Sequence, residues 1–572
     1  MVRRADFTDT QVVFGDTGRE PFIKVKTMLL FRSCNSVAIP WGRKRVSNIK
    51  AAAICLSLTC AAGLFASPTT IIVTNTNDNG AGSLRQALVD ANDGDTIDAT
   101  GISGAITLST GELLVDKSVT INGAGADVLA IDGNVISRVF EIVGGAKTVS
   151  ISGLTIRNGQ GSNGGGIENA ATVTLTIINS TLSGNAAGLG GGVFNSGTLT
   201  IINSTFSNNM ASQGGGIYNP GSGRLTISNS TFSGNTAPVA GGVSFNVGTL
   251  QIANSTLSDN SADSGGGVYN AGTLTIINSA VSGNMASGNT AGSGGGATFN
   301  VATMNVVSST ISGNIANREG AGIYNSDGGT LTITNSTFSG NAASLTGGGV
   351  YNTGTLQLAN STFSDNSAAF LAGGILNFGP LQIGDTILNA GASGVNLYVN
   401  GGGTVTSLGY NISSDDAGGF LTGPGDQLFT NPMLGPLQDN GGPTLTHALL
   451  PGSPAIDAGD PNFTPPPLFD QRGSGFDRVV NGRIDVGSFE VQGPSLTPTP
   501  TATATATSTP TATPSLTPTP TATFTPTATA TTTPTPSGTP SPTPTSTPTP
   551  RPTPSPRPHL TPRARPTPAP RL

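Results

Sequence analysis

Between residues 181 and 366 apolar and polar positions alternate in short bursts, and the bursts recur about every 24 to 30 residues. Within one unit Leu199 and Ile201 alternate with Thr198 and Thr200, Phe206 stands alone among Ser and Asn, and Ile217 follows a run of glycines. A period of two predicts β-strands, because successive side chains of an extended chain point to opposite faces. No part of the unit keeps the i, i+3, i+4 spacing of a helix, and its Gly, Asn and Ser clusters oppose one. Three short strands per unit are predicted.

Aligning the units produces columns. Leu175, Leu199, Leu225, Leu250, Leu274, Leu331 and Leu356 form one, with Met304 filling its gap, and Ile177, Ile201, Ile227, Ile252, Ile276, Val306, Ile333 and Leu358 stand beside it. A third runs through Leu182, Phe206, Phe232, Leu257, Val281, Ile311, Phe338 and Phe363. Size varies along each column while apolarity does not, so all three should point inward. One unit is too short to offset its own ordering entropy, so stability must come from stacking on its neighbours. The expectation is an all-β parallel solenoid.

Two asparagine columns keep step with the apolar ones. The first is Asn185, Asn209, Asn235, Asn260, Asn284, Asn314, Asn341 and Asn366, read as a structural ladder, and the second runs from Asn195 to Asn377. Asparagine tolerates left-handed backbone angles and its amides can bond along a stack, so both columns predict tight bends between stacked turns. N-S-T at Asn179, Asn203, Asn229, Asn254, Asn335 and Asn360 also fits a glycosylation acceptor, but repetition at one place in every turn points to a backbone requirement. Ahead of the repeats, Ser83 is placed as the N-cap of a short helix with Leu84, Ala87, Leu88 and Ala91 on one face, which would cap the first turn.

F-S-G-N at residues 232–235 and 338–341, with G-G-G-I at 214–217 and G-G-G-V at 347–350, resembles the paired motifs of polymorphic outer-membrane-protein repeats. More broadly the chain resembles right-handed parallel β-helix proteins of the pectin-lyase-like type, which implies that handedness for the solenoid over residues 67–380. Ordered motifs at residues 431–434, 439–444, 453–460, 470–473 and 485–490 resemble the choice-of-anchor module that closes bacterial surface β-helices, so residues 381–493 are expected to form a closing module.

Composition divides the rest. Residues 1–66 read as a leader with an export signal: Arg43, Lys44, Arg45 and Lys50, an apolar stretch over 51–65, then Ala66 and Ser67, with Met28 as an alternative start. Residues 494–572 are Pro/Thr repeats that bury nothing and should form a disordered stalk. Between them lie about 27 acidic and about 10 basic side chains, an excess that argues against nucleic acid as a partner. The three cysteines all fall in the leader. The expected location is extracellular, secreted or at the cell surface, as a monomer with no transmembrane span in the mature chain.

Candidate chemistry is sparse. The repeats scatter Asp259, Asp263, Glu319, Asp327 and Asp365 over several turns, with Arg224 and Arg318 as their cations. Asp457, Asp460, Asp470, Asp485 and Glu490 are interleaved with Arg472, Arg478 and Arg483. These carboxylates are expected to pair with the arginines or cap turns, with calcium as the alternative partner. His447 is the only histidine between leader and tail, which disfavours a zinc site or a catalytic dyad there. No catalytic residue and no cofactor is assigned. The first expectation is therefore a non-enzymatic adhesin or structural protein that contacts glycans or envelope polymers. The alternatives are a polysaccharide lyase or glycoside hydrolase of the pectin-lyase-like type, and a passive envelope spacer. The enzyme reading requires at least two carboxylates within about 10 Å of each other and of a cation, in an open groove.

Overall fold

The computed structural model describes residues 67–493 apart from Ala291 and Ala390; the export signal and the Pro/Thr stalk lie outside the described residues. Three parallel sheets run the length of a solenoid, and a fourth runs along its middle coils. Sheet A has 14 strands, sheet B 13, sheet C 12 and sheet D nine. A representative coil passes through Thr174–Ile178 in sheet A, Thr181–Ser183 in B, Ala186–Leu189 in D and Val193–Asn195 in C before re-entering A at Thr198–Ile202.

The apolar columns are the core. Leu175 pairs with Leu199 and Ile177 with Ile201 in sheet A, Leu182 pairs with Phe206 in sheet B, and all six are fully buried. Phe206 and Phe232 stack with ring centroids 4.6 Å apart. The expectation of three strands per unit needs correction, because a fourth sheet is present from Gln160–Asn163 to Ser367–Ala368. Its strands are two to five residues long and turn one small side chain inward, such as Ala211, Ala237 or Ala262. So small an inward residue leaves no apolar alternation to read.

Each corner has its own chemistry. Between sheets A and B the asparagine of N-S-T is left-handed, with φ of 48° at Asn179 and 50° at Asn229. The serine after it is buried: Ser180 N–H donates to Ser204 Oγ at 3.2 Å, and Ser180 Oγ donates to the Ile178 carbonyl at 2.8 Å. Between B and D, Asn209 Nδ2 donates to Asn235 Oδ1 at 2.9 Å and to the Leu182 carbonyl at 2.9 Å. The same amide's Oδ1 accepts from both Asn185 N and Asn185 Nδ2. At the C-to-A corner Asn195 Nδ2 donates to Asn219 Oδ1 at 2.8 Å. Between D and C the chain turns at glycine, as at Gly190 with φ of 64°, where an added Cβ would lie 2.2 Å from the Val193 carbonyl oxygen.

The ends are closed differently. The helix Leu84–Asp90 has Ser83 at its N-cap, accepting from Gln86 N–H, and buries Leu84, Ala87 and Leu88 on the first coil. The parallel ladder continues past the fading of the repeat at Asn377, through Pro380–Gly384, Ile387–Asn389, Val395–Val399 and Thr404–Gly409 to Ile412–Ser413. Ala417 and Leu421 then join the main core. The remainder carries a hairpin, Leu434–Gln438 with Thr446–Leu449, and lies against the side of the solenoid on sheet B. Thr310 Oγ1 donates to the Leu445 carbonyl at 2.6 Å, Thr337 Oγ1 to Gln471 Oε1 at 2.6 Å, and Ser488 N–H to Thr362 Oγ1 at 3.0 Å. A second small core of Ile387, Ile412, Leu449, Ala455, Val486 and Phe489 seals that contact.

Candidate functional site

Sheet C turns one side chain per strand outward, and that column changes character along the axis. Phe140 and Ile142 are buried on the strand Phe140–Ile142, which leaves Glu141 outside; Ile167 and Asn169 do the same for Glu168. Register aligns Leu114 with Glu141, Glu141 with Glu168, and Glu168 with Phe194. From there the column is aromatic: Phe194, Tyr218, Phe245, Tyr269, Phe299, Tyr324 and Tyr351 stack in sequence, with centroids 4.5 to 5.4 Å apart. The two acids therefore begin a file of rings.

Arg138, just before its strand, gathers three carboxylates. Its Nη1 lies 2.8 Å from Glu168 Oε2, 3.6 Å from Glu141 Oε1 and 3.6 Å from Glu112 Oε2. Because all three oxygens surround one nitrogen, no two can be farther apart than twice the longer distance. Nη1 makes no aligned hydrogen bond within the protein, so the attraction is Coulombic, while Nε donates to the Asn163 carbonyl at 3.1 Å and fixes the guanidinium. The glutamate side chains keep 25% to 34% of their surface exposed, so solvent or a substrate can reach them.

Glu112 is braced from behind. Arg85 donates to the Glu112 carbonyl at 2.6 Å and to the Gly111 carbonyl at 2.7 Å, and pairs with Asp78 at 2.7 Å. Burial pushes Asp78 up, but hydrogen bonds from Thr110, Arg85 and Ser109 outweigh it and hold that carboxylate far below its usual range. Glu112 shifts the opposite way. Burial raises it, Arg138 opposes, and the negative charges of Glu141 and Glu168 raise it further, so its carboxyl keeps a proton to higher pH than a free glutamate.

The carboxylates expected in the closing segment are occupied by the protein itself. Asp470 takes a bidentate contact from Arg472, with Nη2 at 2.6 Å from Oδ2, and the guanidinium lies between the Phe476 and Phe489 rings at 3.9 and 3.7 Å. Asp485 accepts from Asp457 N–H and Val491 N–H, and Glu490 accepts from Asp485 N–H. Asp460 Oδ1 accepts from Asn462 N–H at 2.8 Å, and its backbone N–H donates to Asp385. Arg478 is fully buried 3.9 Å from Glu490 and donates to the Asp485 and Gly487 carbonyls. Among the described residues no group of three or more His, Cys, Asp or Glu is arranged to hold a metal ion. His447 Nδ1 meets the Gly435 carbonyl at 2.7 Å and must donate to it, so Nε2 accepts from Ser339 Oγ at 2.9 Å. That neutral ring, with its pKa lowered chiefly by burial, holds the hairpin to sheet B.

The Arg138 cluster meets the distance part of the requirement set for an enzyme, while the open groove that the requirement also names is not shown around it, and none of its four residues stood out in the sequence. It lies in the irregular first coils. One signal could have found it: Glu141, Glu168 and Phe194 stand one repeat apart, so extending the outward column backwards reaches both acids.

The family described as right-handed beta helix region matches residues 139–311 and 217–379. The fold is a right-handed parallel β-helix. Among solved structures, the pectate lyase Pel9A is 14% identical, with a TM-score of 0.37 over 74% of this chain and 97% of that one. The alginate lyase AlyF-OU02, solved in complex with G6, is 11% identical, with a TM-score of 0.36 over 59% of this chain and 84% of that one. No curated protein matches the sequence. The Arg138 cluster fits the polysaccharide-active alternative better than the non-enzymatic adhesin that the sequence placed first.

Proposed function

We propose that this β-helix cleaves a glycan, using Glu112, Glu141 and Glu168 around Arg138 as paired-carboxylate machinery. The carrying observation is that one guanidinium gathers three partly exposed carboxylates, of which Glu112 favours its proton. Cleavage of a glycosidic bond needs one carboxyl that gives a proton to the leaving oxygen and one carboxylate that attacks or activates water. Glu112 suits the first role. Glu168, 2.8 Å from Arg138 and the closest of the three to it, suits the second. Glu141 lies on the coil between theirs and adds its charge to the burial that raises Glu112. With three acids against one base the site carries net negative charge, which favours a neutral or weakly charged polysaccharide over a polyuronate.

Extracellular or surface localisation is part of the same proposal, resting on the export-signal pattern of residues 43–67, and surface proteolysis of intact cells tests it. Incubation of the full chain with neutral and uronic polysaccharides, following new reducing ends and unsaturated products separately, tests the chemistry. Reducing ends without unsaturation, lost in both Glu112→Gln and Glu168→Gln, are expected. Unsaturated products would make it a lyase, and no cleavage of any polymer would return the protein to a binding role.

A further inference from the structure

Sheet A presents a surface of different character. From the strand Thr148–Ser152 to the strand Thr355–Ala359 its ladders pair in unbroken register, coil over coil. The first outward position is threonine in every one of these coils except the one that carries Arg224. In four coils the next outward position is threonine too: Thr174 with Thr176, Thr198 with Thr200, Thr273 with Thr275, and Thr330 with Thr332. Elsewhere it is Ser, Thr, Gln or Asn. A third outward column includes Ile178, Ile202, Ile277 and Val307. Arg224 is the one formal charge on the face over this span.

We propose that sheet A is an ice-binding face. Strand propensity accounts for β-branched residues here, but a solvated strand face ordinarily also takes Lys, Glu and Asp, and this one does not. The partner it complements is itself uncharged. Apart from Arg224, Gln251, Asn305 and Gln357, hydroxyls recur along the axis at the coil spacing of about 4.8 Å and across the strand at every second residue, about 7 Å. Those two repeats form a rectangular net close to the oxygen spacings of hexagonal ice. Each threonine offers a hydroxyl that bonds water and a methyl that orders it, and Ile178, Ile202, Ile277 and Val307 add apolar surface at the margin, where the other coils carry Ser, Ala or Thr. A crystalline glycan offers a similar periodicity, but a flat sugar surface is gripped by aromatic faces, and the outward positions of this span contain none. The inference is independent of the Arg138 site, which lies on sheet C.

The test freezes a solution of the full chain slowly onto a cold probe and measures the fraction incorporated in the ice, with recrystallisation of a thin polycrystalline film as a second readout. The wild type is expected to enter ice and arrest grain growth. Thr200→Lys combined with Thr226→Lys is expected to lower the incorporated fraction about tenfold. Thr275→Lys on another coil repeats the loss independently of how well the pair folds, and Ser212→Lys on sheet D leaves binding intact. Circular dichroism checks that all variants retain the fold. Exclusion of the wild type from ice like an inert solute overturns the proposal, as does retention of binding in both threonine variants. Adsorption to crystalline chitin or cellulose without entry into ice overturns it as well.

Discussion

Removing one amide from the inner asparagine ladder tests how the coils are held together. Asn260 is 1% exposed. Its Oδ1 accepts from Asn235 N at 2.9 Å and Asn235 Nδ2 at 2.9 Å, and its Nδ2 donates to Asn284 Oδ1 at 2.8 Å and to the Phe232 carbonyl at 3.0 Å. In Asn260→Ala the two donors of Asn235 lose their acceptor inside the core. At about 1–3 kcal/mol for each orphaned buried donor, the loss is about 2–6 kcal/mol, concentrated on the coils at residues 235 and 260. A solenoid opens locally, so a global melting curve would dilute the effect. Hydrogen exchange followed by mass spectrometry resolves it: exchange in peptides spanning residues 230–265 should accelerate at least about thirtyfold, the equivalent of 2 kcal/mol. Asn254→Gly is the matched control, because Asn254 is an exposed bend residue at φ of 50°, an angle glycine adopts without cost. If Asn260→Ala exchanges no faster than Asn254→Gly, the ladder does not carry the stacking energy assigned to it.

Three further outcomes are expected. Glu490 is raised to about 8, by burial first and then by the charge of Asp485, against the pull of Arg478; the folded state therefore binds a proton that the unfolded chain releases, and stability should fall as pH rises from about 4.5 through 8. In Glu490→Gln that slope should flatten, measured as the urea midpoint of the closing segment across the same range. Arg472→Lys keeps the charge but loses the bidentate contact and both ring faces, so the segment over residues 434–491 should weaken by about 2–3 kcal/mol and be cut faster by a protease that leaves the coils intact. Any cleavage activity should decline on the alkaline side as Glu112 gives up its proton, and Glu141→Gln should move that limb to lower pH by removing one of the charges that raise it.

Much of the fold was legible because the solenoid repeats itself. Side chains that recur at one repeat length stack on their own kind, so the Leu, Ile and Phe columns and both asparagine columns could be read before any coordinate. The capping helix was legible through its N-cap serine and apolar face. Sheet D was not, since one inward alanine in a short strand carries no period. The Arg138 site was missed because its acids come from three coils outside the regular repeats, and only the fold wraps Glu112, Glu141 and Glu168 around one guanidinium.

The sequence alone determined that this chain would coil and which side chains would line the interior, because burial acts on each repeat in the same way and leaves a column behind. Tertiary structure decided the rest. It fixed the fourth face, laid residues 434–491 along sheet B, and brought charges from separate coils within reach of one another. Those contacts are set by through-space distance between coils, and one-dimensional spacing records that distance only where the repeat is regular.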